Sequence, residues 1–162
     1  MAYELIFFCK GAEEETGAGA MDRVIDAVLE NGPPLFGEYL GPPEPQLGEW
    51  LGPEADAIHS FRLVTGSERE GPAADYLLLE IHVGVRFIAD DVIAVDPDDD
   101  HGVWGSDLMA VITLSGDHPD WPLVDRIWTA LESLWAVVPW DEMSGFAIAA
   151  ETRRPLGGDT SP

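Results

Sequence analysis

Apolar residues open the chain in a stretch without polar alternation, Leu5-Ile6-Phe7-Phe8-Cys9. Such a run predicts a central β-strand over Tyr3 to Cys9, covered on at least one face. Lys10 to Gly19, with Glu13-Glu14-Glu15 and three glycines, reads as a loop. Beyond it the period lengthens. Met21, Val24, Ile25, Val28 and Leu29 share one side of a helix and Asp22, Arg23, Asp26 and Glu30 the other, which predicts a helix from Ala20 to Asn31. Gly32 and Pro33-Pro34 end it.

Gly32 to Asp56 holds six prolines and is predicted to be a long Pro/Gly-rich loop without regular structure. It contains a two-copy repeat with a period of 11: Phe36-Gly37-Glu38-Tyr39-Leu40-Gly41-Pro42 returns as Leu47-Gly48-Glu49-Trp50-Leu51-Gly52-Pro53. Two copies are too few for a solenoid. The aromatic and leucine side chains either pin this loop to the body or present a flap to a partner. On the second reading the binding residues are Tyr39, Trp50, Glu38 and Glu49.

Strands are predicted over Ile58 to Thr65 and Tyr76 to Ile88, separated by the turn-rich Gly66 to Ala73. In the longer one Leu79, Ile81, Val83, Val85 and Phe87 alternate with Glu80, His82, Gly84 and Arg86. A hairpin of the two would bring Arg62 near Glu80. A short apolar piece, Val92 to Val95, and Asp107 to Leu114 read as further strands. A second helix is expected from Asp120 to Val137, with Asp120 as N-cap and Pro122 in its first turn. Val124, Ile127, Trp128, Leu131, Leu134 and Trp135 form its apolar side, and tryptophans 121, 128 and 135 at helical spacing read as core. A last strand is placed at Ser144 to Ala150, before a polar tail, Glu151 to Pro162, expected to be disordered.

These elements describe one α+β domain over residues 1–150. It is expected to be a mainly antiparallel sheet of about five or six strands with two helices on one face, ferredoxin-like or related. Composition adds a compartment. The apolar share of 46% suits a globular core, and the single cysteine, Cys9, lies inside the first strand, where it reads as a buried, inert thiol. With no signal-peptide pattern and no membrane-length apolar stretch, the expected location is cytoplasmic.

Charge changes the picture most. Thirty-one Asp and Glu face eight Lys and Arg, a net charge of −23. Residues 1–81 carry −12 and residues 82–162 carry −11, so the acidity belongs to the whole chain and not to a tail. Such a field repels nucleic acid and anionic membranes and steers basic proteins inward. An Asp/Glu-rich, Lys-poor proteome would produce the same composition without a dedicated partner.

Candidate chemistry is sparse. Gly17 and Gly19 have the first spacing of a dinucleotide fingerprint, but Asp22 occupies the third glycine position, and three glutamates beside the loop oppose a phosphate. His82 with Glu80 and Arg86 on one side of a strand is the best acid/base constellation, although such a row is normally solvated. Asp96 to Asp107 is sharper. Asp96, Asp98, Asp100 and Asp107 fall at positions 1, 3, 5 and 12 of an EF-hand-like loop, whose oxygen ligands would suit calcium. His101 stands where the loop needs glycine, Asp107 is shorter than the usual glutamate, and the flanks read as strands. The expected function is therefore a non-enzymatic acidic protein-binding module. It resembles small immunity proteins in size and charge, which implies an inhibitor or antitoxin-type role covering a basic site on a partner. The alternatives are an enzyme or small-ligand domain with a site assembled from distant residues, and calcium binding by the aspartate loop. No other cofactor is expected.

Overall fold

The computed structural model describes residues 3–32, 35–41, 58–64, 77–114, 121–142 and 145–146. Among these residues six strands form one sheet: β1 (Tyr3–Lys10), β2 (Phe36–Gly41), β3 (Ile58–Val64), β4 (Leu77–Val83), β5 (Leu108–Leu114) and β6 (Ala136–Asp141). The same residues include three helices: α1 (Gly17–Glu30), α2 (Val85–Val95) and α3 (Trp121–Leu134). The strand order is β2-β3-β4-β5-β1-β6, and every neighbouring pair is antiparallel. Helices α1 and α3 are the crossovers of a βαββαβ core made by β1, β4, β5 and β6. The ferredoxin-like expectation therefore describes the β4-β5-β1-β6 part of the sheet. The β2–β3 hairpin widens it beyond β4, and α2 is inserted between β4 and β5.

β1 and β5 are apolar on both sides because both sides are covered. Leu5, Phe7 and Cys9 on β1, with Leu108, Ala110, Ile112 and Leu114 on β5, point into a large core completed by α1 and α3. Phe8, Met109 and Val111 point the other way, into a smaller cluster with Ile88 and Val92 of α2 and with Val103. This two-sided burial removes the alternation that a half-exposed strand would show. On the larger face Trp128 packs edge-on against Phe7, with ring centroids 5.1 Å apart. The two helices there are also tied end to side. The Nη2 of Arg126 on α3 donates at 2.6 Å to the carbonyl of Val28, which also accepts from the Asn31 N–H at 3.2 Å at the end of α1.

Several boundaries differ from the sequence expectation, each for a local reason. α1 begins at Gly17 because Thr16 caps it: Oγ1 accepts from the Gly19 N–H at 3.0 Å. The strand expected to reach Ile88 stops at Val83. Gly84 has φ of 114°, a value that ends the strand and admits a helix behind it. Val85 to Val95, expected as strand end and a further short strand, is α2, and it covers the sheet face opposite α1 and α3. The count of two helices on one face is thus right for α1 and α3 and omits α2.

Part of the proline-rich segment is regular. Phe36–Gly41 is edge strand β2, paired with β3 in a register that sets Glu38 opposite Arg62. Leu78, not Glu80, stands opposite Arg62 on the β4 side. At the other end, α3 stops at Leu134 and Ala136–Asp141 becomes edge strand β6. Val137 and Val138 favour the pleated conformation, and Pro139 is tolerated because an edge strand bonds on one side. Of the strand expected at Ser144 to Ala150, Gly145 bridges to Asp141, and most of the remainder lies outside the described residues. So does the second repeat copy. Among the described residues no helix is long and apolar enough to cross a membrane.

Candidate functional site

The aspartate loop is built around two buried carboxylates, Asp96 and Asp107. Asp96 ends α2, and its two oxygens accept from the N–H groups of Asp100 at 2.8 Å and His101 at 2.9 Å. Asp107 does the same for a different segment: Oδ1 accepts from Ala12 N–H at 3.0 Å and Oδ2 from Gly11 N–H at 3.3 Å. The carboxylates at loop positions 1 and 12 therefore serve two separate turns, each supplying both oxygens as acceptors to backbone N–H groups, that of the buried Ala12 among them. Asp98 and Asp100 are exposed. Among the described residues no three His, Cys, Asp or Glu side chains gather in a metal-sized group.

The same loop positions Trp104. Asp99 adopts a left-handed φ of 56° and accepts from the Trp104 N–H at 3.1 Å, while the indole Nε1 donates to the Asp96 carbonyl at 2.7 Å. The ring is held through its Nε1 yet remains 45% exposed. Facing it are Val85 and Ile93 of α2, themselves 52% and 53% exposed. Between them lies a groove of ≈ 180 Å³ lined by Val85, Ala89, Val92, Ile93, Trp104 and Ser106, with Gly105 at its edge.

The other expected sites are distributed differently. His82 Nε2 lies 3.1 Å from Glu80 Oε1 on β4, so that pair is assembled. Arg86 lies on α2, not on that strand, and its guanidinium lies over the Phe87 ring at 5.3 Å. Glu38 is exposed and paired with Arg62 at 3.2 Å. Tyr39 sits in β2 opposite Phe61. Glu49 and Trp50 lie outside the described residues.

Cys9 is fully buried. Burial, and secondarily the Asp107 carboxylate, pushes its thiol well above the ordinary range, so no thiolate nucleophile is available there. Asp141 is also fully buried, where it accepts from the Tyr3 hydroxyl. Tyr3 in turn meets Trp121 edge-on at 5.5 Å. The buried carboxylates thus serve the fold, and the exposed ones give the surface its charge.

Sequence reasoning missed the groove because Val83 to Phe87 alternates like a strand. The signal that could have found it was present. Val85, Ile88, Ala89, Val92, Ile93 and Val95 repeat at three and four residues, a helical apolar arc. No protein-family model, curated protein or solved structure matches the chain.

Proposed function

We propose that this chain is a non-enzymatic, acidic protein-binding module that covers a basic site on a partner, in the manner of an inhibitor or immunity-type protein. The observation that carries the reading is the division of labour among its carboxylates. Asp96, Asp107 and Asp141 are buried and hydrogen-bonded within the fold. Asp90, Asp91, Asp98, Asp99 and Asp100 stand exposed on α2 and on the loop, the two elements that line a hydrophobic groove. Charge at −23 supplies long-range attraction, and exposed apolar side chains supply the short-range contact that charge alone lacks. The same field opposes nucleic acid and anionic lipid. A cytoplasmic location fits a lone buried thiol.

The test is association kinetics. The full chain is immobilised, a basic partner is captured and purified, and the association rate of the purified pair is followed with increasing salt. The reading expects a rate that falls steeply with ionic strength while dissociation changes little. A rate indifferent to salt, or capture confined to abundant proteins of no particular charge, defeats it.

A further inference from the structure

Helix α2 carries more apolar surface than the sheet covers. Ile88 and Val92 are buried in the smaller core, with Val95 packed against it. Val85, Ala89 and Ile93 continue the same arc around the helix and end at the groove facing Trp104. A cavity of about 150 Å³ accepts a benzene ring, so ≈ 180 Å³ has room for one leucine, methionine or phenyl side chain. Ser106, the polar side chain in the lining, donates its hydroxyl to the Val103 carbonyl at 2.6 Å. An apolar guest would therefore leave neither that hydroxyl nor the indole Nε1 of Trp104 unmet.

The rim selects the guest's neighbours. Residues 85–107 contain five exposed aspartates, Asp90, Asp91, Asp98, Asp99 and Asp100, against one arginine, Arg86, with Lys10 beside Gly105. We infer that the groove between α2 and Trp104 docks one apolar side chain of a lysine- or arginine-rich partner segment. This rests on the protein-binding reading above and assigns it a surface. Trp104 is a prepared anchor because its backbone N–H is bonded to Asp99 and its indole Nε1 to the Asp96 carbonyl, so little side-chain freedom is lost on contact. A second copy of the chain is the less favourable occupant. A two-fold contact would set this acidic rim against itself, between molecules each carrying −23.

The experiment uses the full chain and two labelled peptides of equal charge, one of lysines with leucines spaced i and i+4, the other with serines replacing the leucines. Binding is read by fluorescence anisotropy at low and at physiological salt. The leucine peptide is expected to bind roughly tenfold or more tightly than its serine counterpart. Ile93→Ser and Trp104→Ala should each remove most of that difference and leave the affinity for the serine peptide unchanged, since neither alters a charge. Ala89→Phe, which fills the groove from within, should act the same way and guards against loss of fold in either variant.

Equal affinities for the two peptides in the unaltered chain overturn the groove while leaving the basic-partner reading standing. Failure of both peptides to bind even at low salt overturns that reading as well. A chain that sediments as a dimer and becomes monomeric with Ile93→Ser assigns the groove to a second copy, which also overturns the inference.

Discussion

Trp128 and Trp104 mark how differently the two faces of this sheet are built. Trp128 is 2% exposed, wedged against Phe7 between α3 and the sheet, within a core to which β1, β3, β4, β5, α1 and α3 all contribute buried side chains. Trp104 is 45% exposed and stands at the border of a cluster of six buried residues. One face is a thick interior covered by two long helices. The other, among the described residues, has the shorter helix α2, a loop secured by carboxylates, and apolar side chains left at the surface. The difference teaches where stability and recognition are separated: a close-packed interior tolerates little change, whereas a partly covered face has surface to offer.

The sharpest way to break the comparison is to truncate both tryptophans. Trp128→Ala is expected to cost about 3–5 kcal/mol of unfolding free energy, through lost burial and a cavity that rigid neighbours cannot fill. Trp104→Ala should cost about 1 kcal/mol, the scale of one net hydrogen bond. Urea titrations monitored by far-ultraviolet circular dichroism measure both. Similar losses would mean the second face is as tightly packed as the first.

Within α2 the same contrast is sharpened at smaller scale. Ile88 is fully buried and Ile93 half exposed on one helix. Ile88→Ala should cost about 2–4 kcal/mol, and Ile93→Ala about 0.5 kcal/mol. Equal values would deny that the helix presents a free apolar edge. The carboxylates offer a third comparison. Asp107→Ala strands the N–H groups of Gly11 and Ala12 and should cost about 1–3 kcal/mol. Asp98→Ala, in the exposed part of the loop, should stay within about 0.5 kcal/mol.

The two faces were also unequally legible in the sequence. The thick one could be read because its elements obey one period each. β1 is an apolar run, and Met21 to Val28 and Val124 to Leu134 keep helical spacing throughout. The thin one was hidden by overlapping periods: the odd-numbered residues from Leu79 to Phe87 alternate across a boundary that only the φ of Gly84 creates. The aspartate loop misled for a related reason. Spacing counts carboxylates but not their directions, and Asp96 and Asp107 turn toward backbone donors in different segments. Edge strands β2 and β6 were obscured by prolines, which argue against strands in general and much less against edges.

Cys9 gives the thick face a pH signature. Its thiol is raised far above the ordinary value of 9.0 by burial first and Asp107 second, so the folded state favours the protonated form. That contribution is complete below pH 9.0. Above it the unfolded chain releases its proton while the folded chain holds it, and the contribution is progressively lost. The stability difference between the unaltered chain and Cys9→Ala should therefore narrow as pH rises past this point. A difference that stays constant would place the thiol in contact with solvent, and rapid modification of Cys9 by a thiol reagent in the folded protein would say the same.

The smallest expected effect is that of calcium on the thin face. To bind an ion through the loop, Asp96 must surrender N–H partners at 2.8 and 2.9 Å, and Asp107 must leave the Gly11–Ala12 turn. Each desertion gives up two hydrogen bonds to a charged carboxylate, at about 1.5–3 kcal/mol apiece. An ion at a hundred times its dissociation constant returns about 2.7 kcal/mol, which does not cover both. Millimolar calcium, compared with magnesium and with a chelator, should then move the thermal midpoint by less than about 1 °C, where a bound ion would move it by several. A larger shift confined to calcium would show that the loop reorganises around a cation. The thin face would then be a region completed by metal, not one left open for a basic segment, and Asp98→Ala would abolish the shift while leaving the Trp128 core as stable as before.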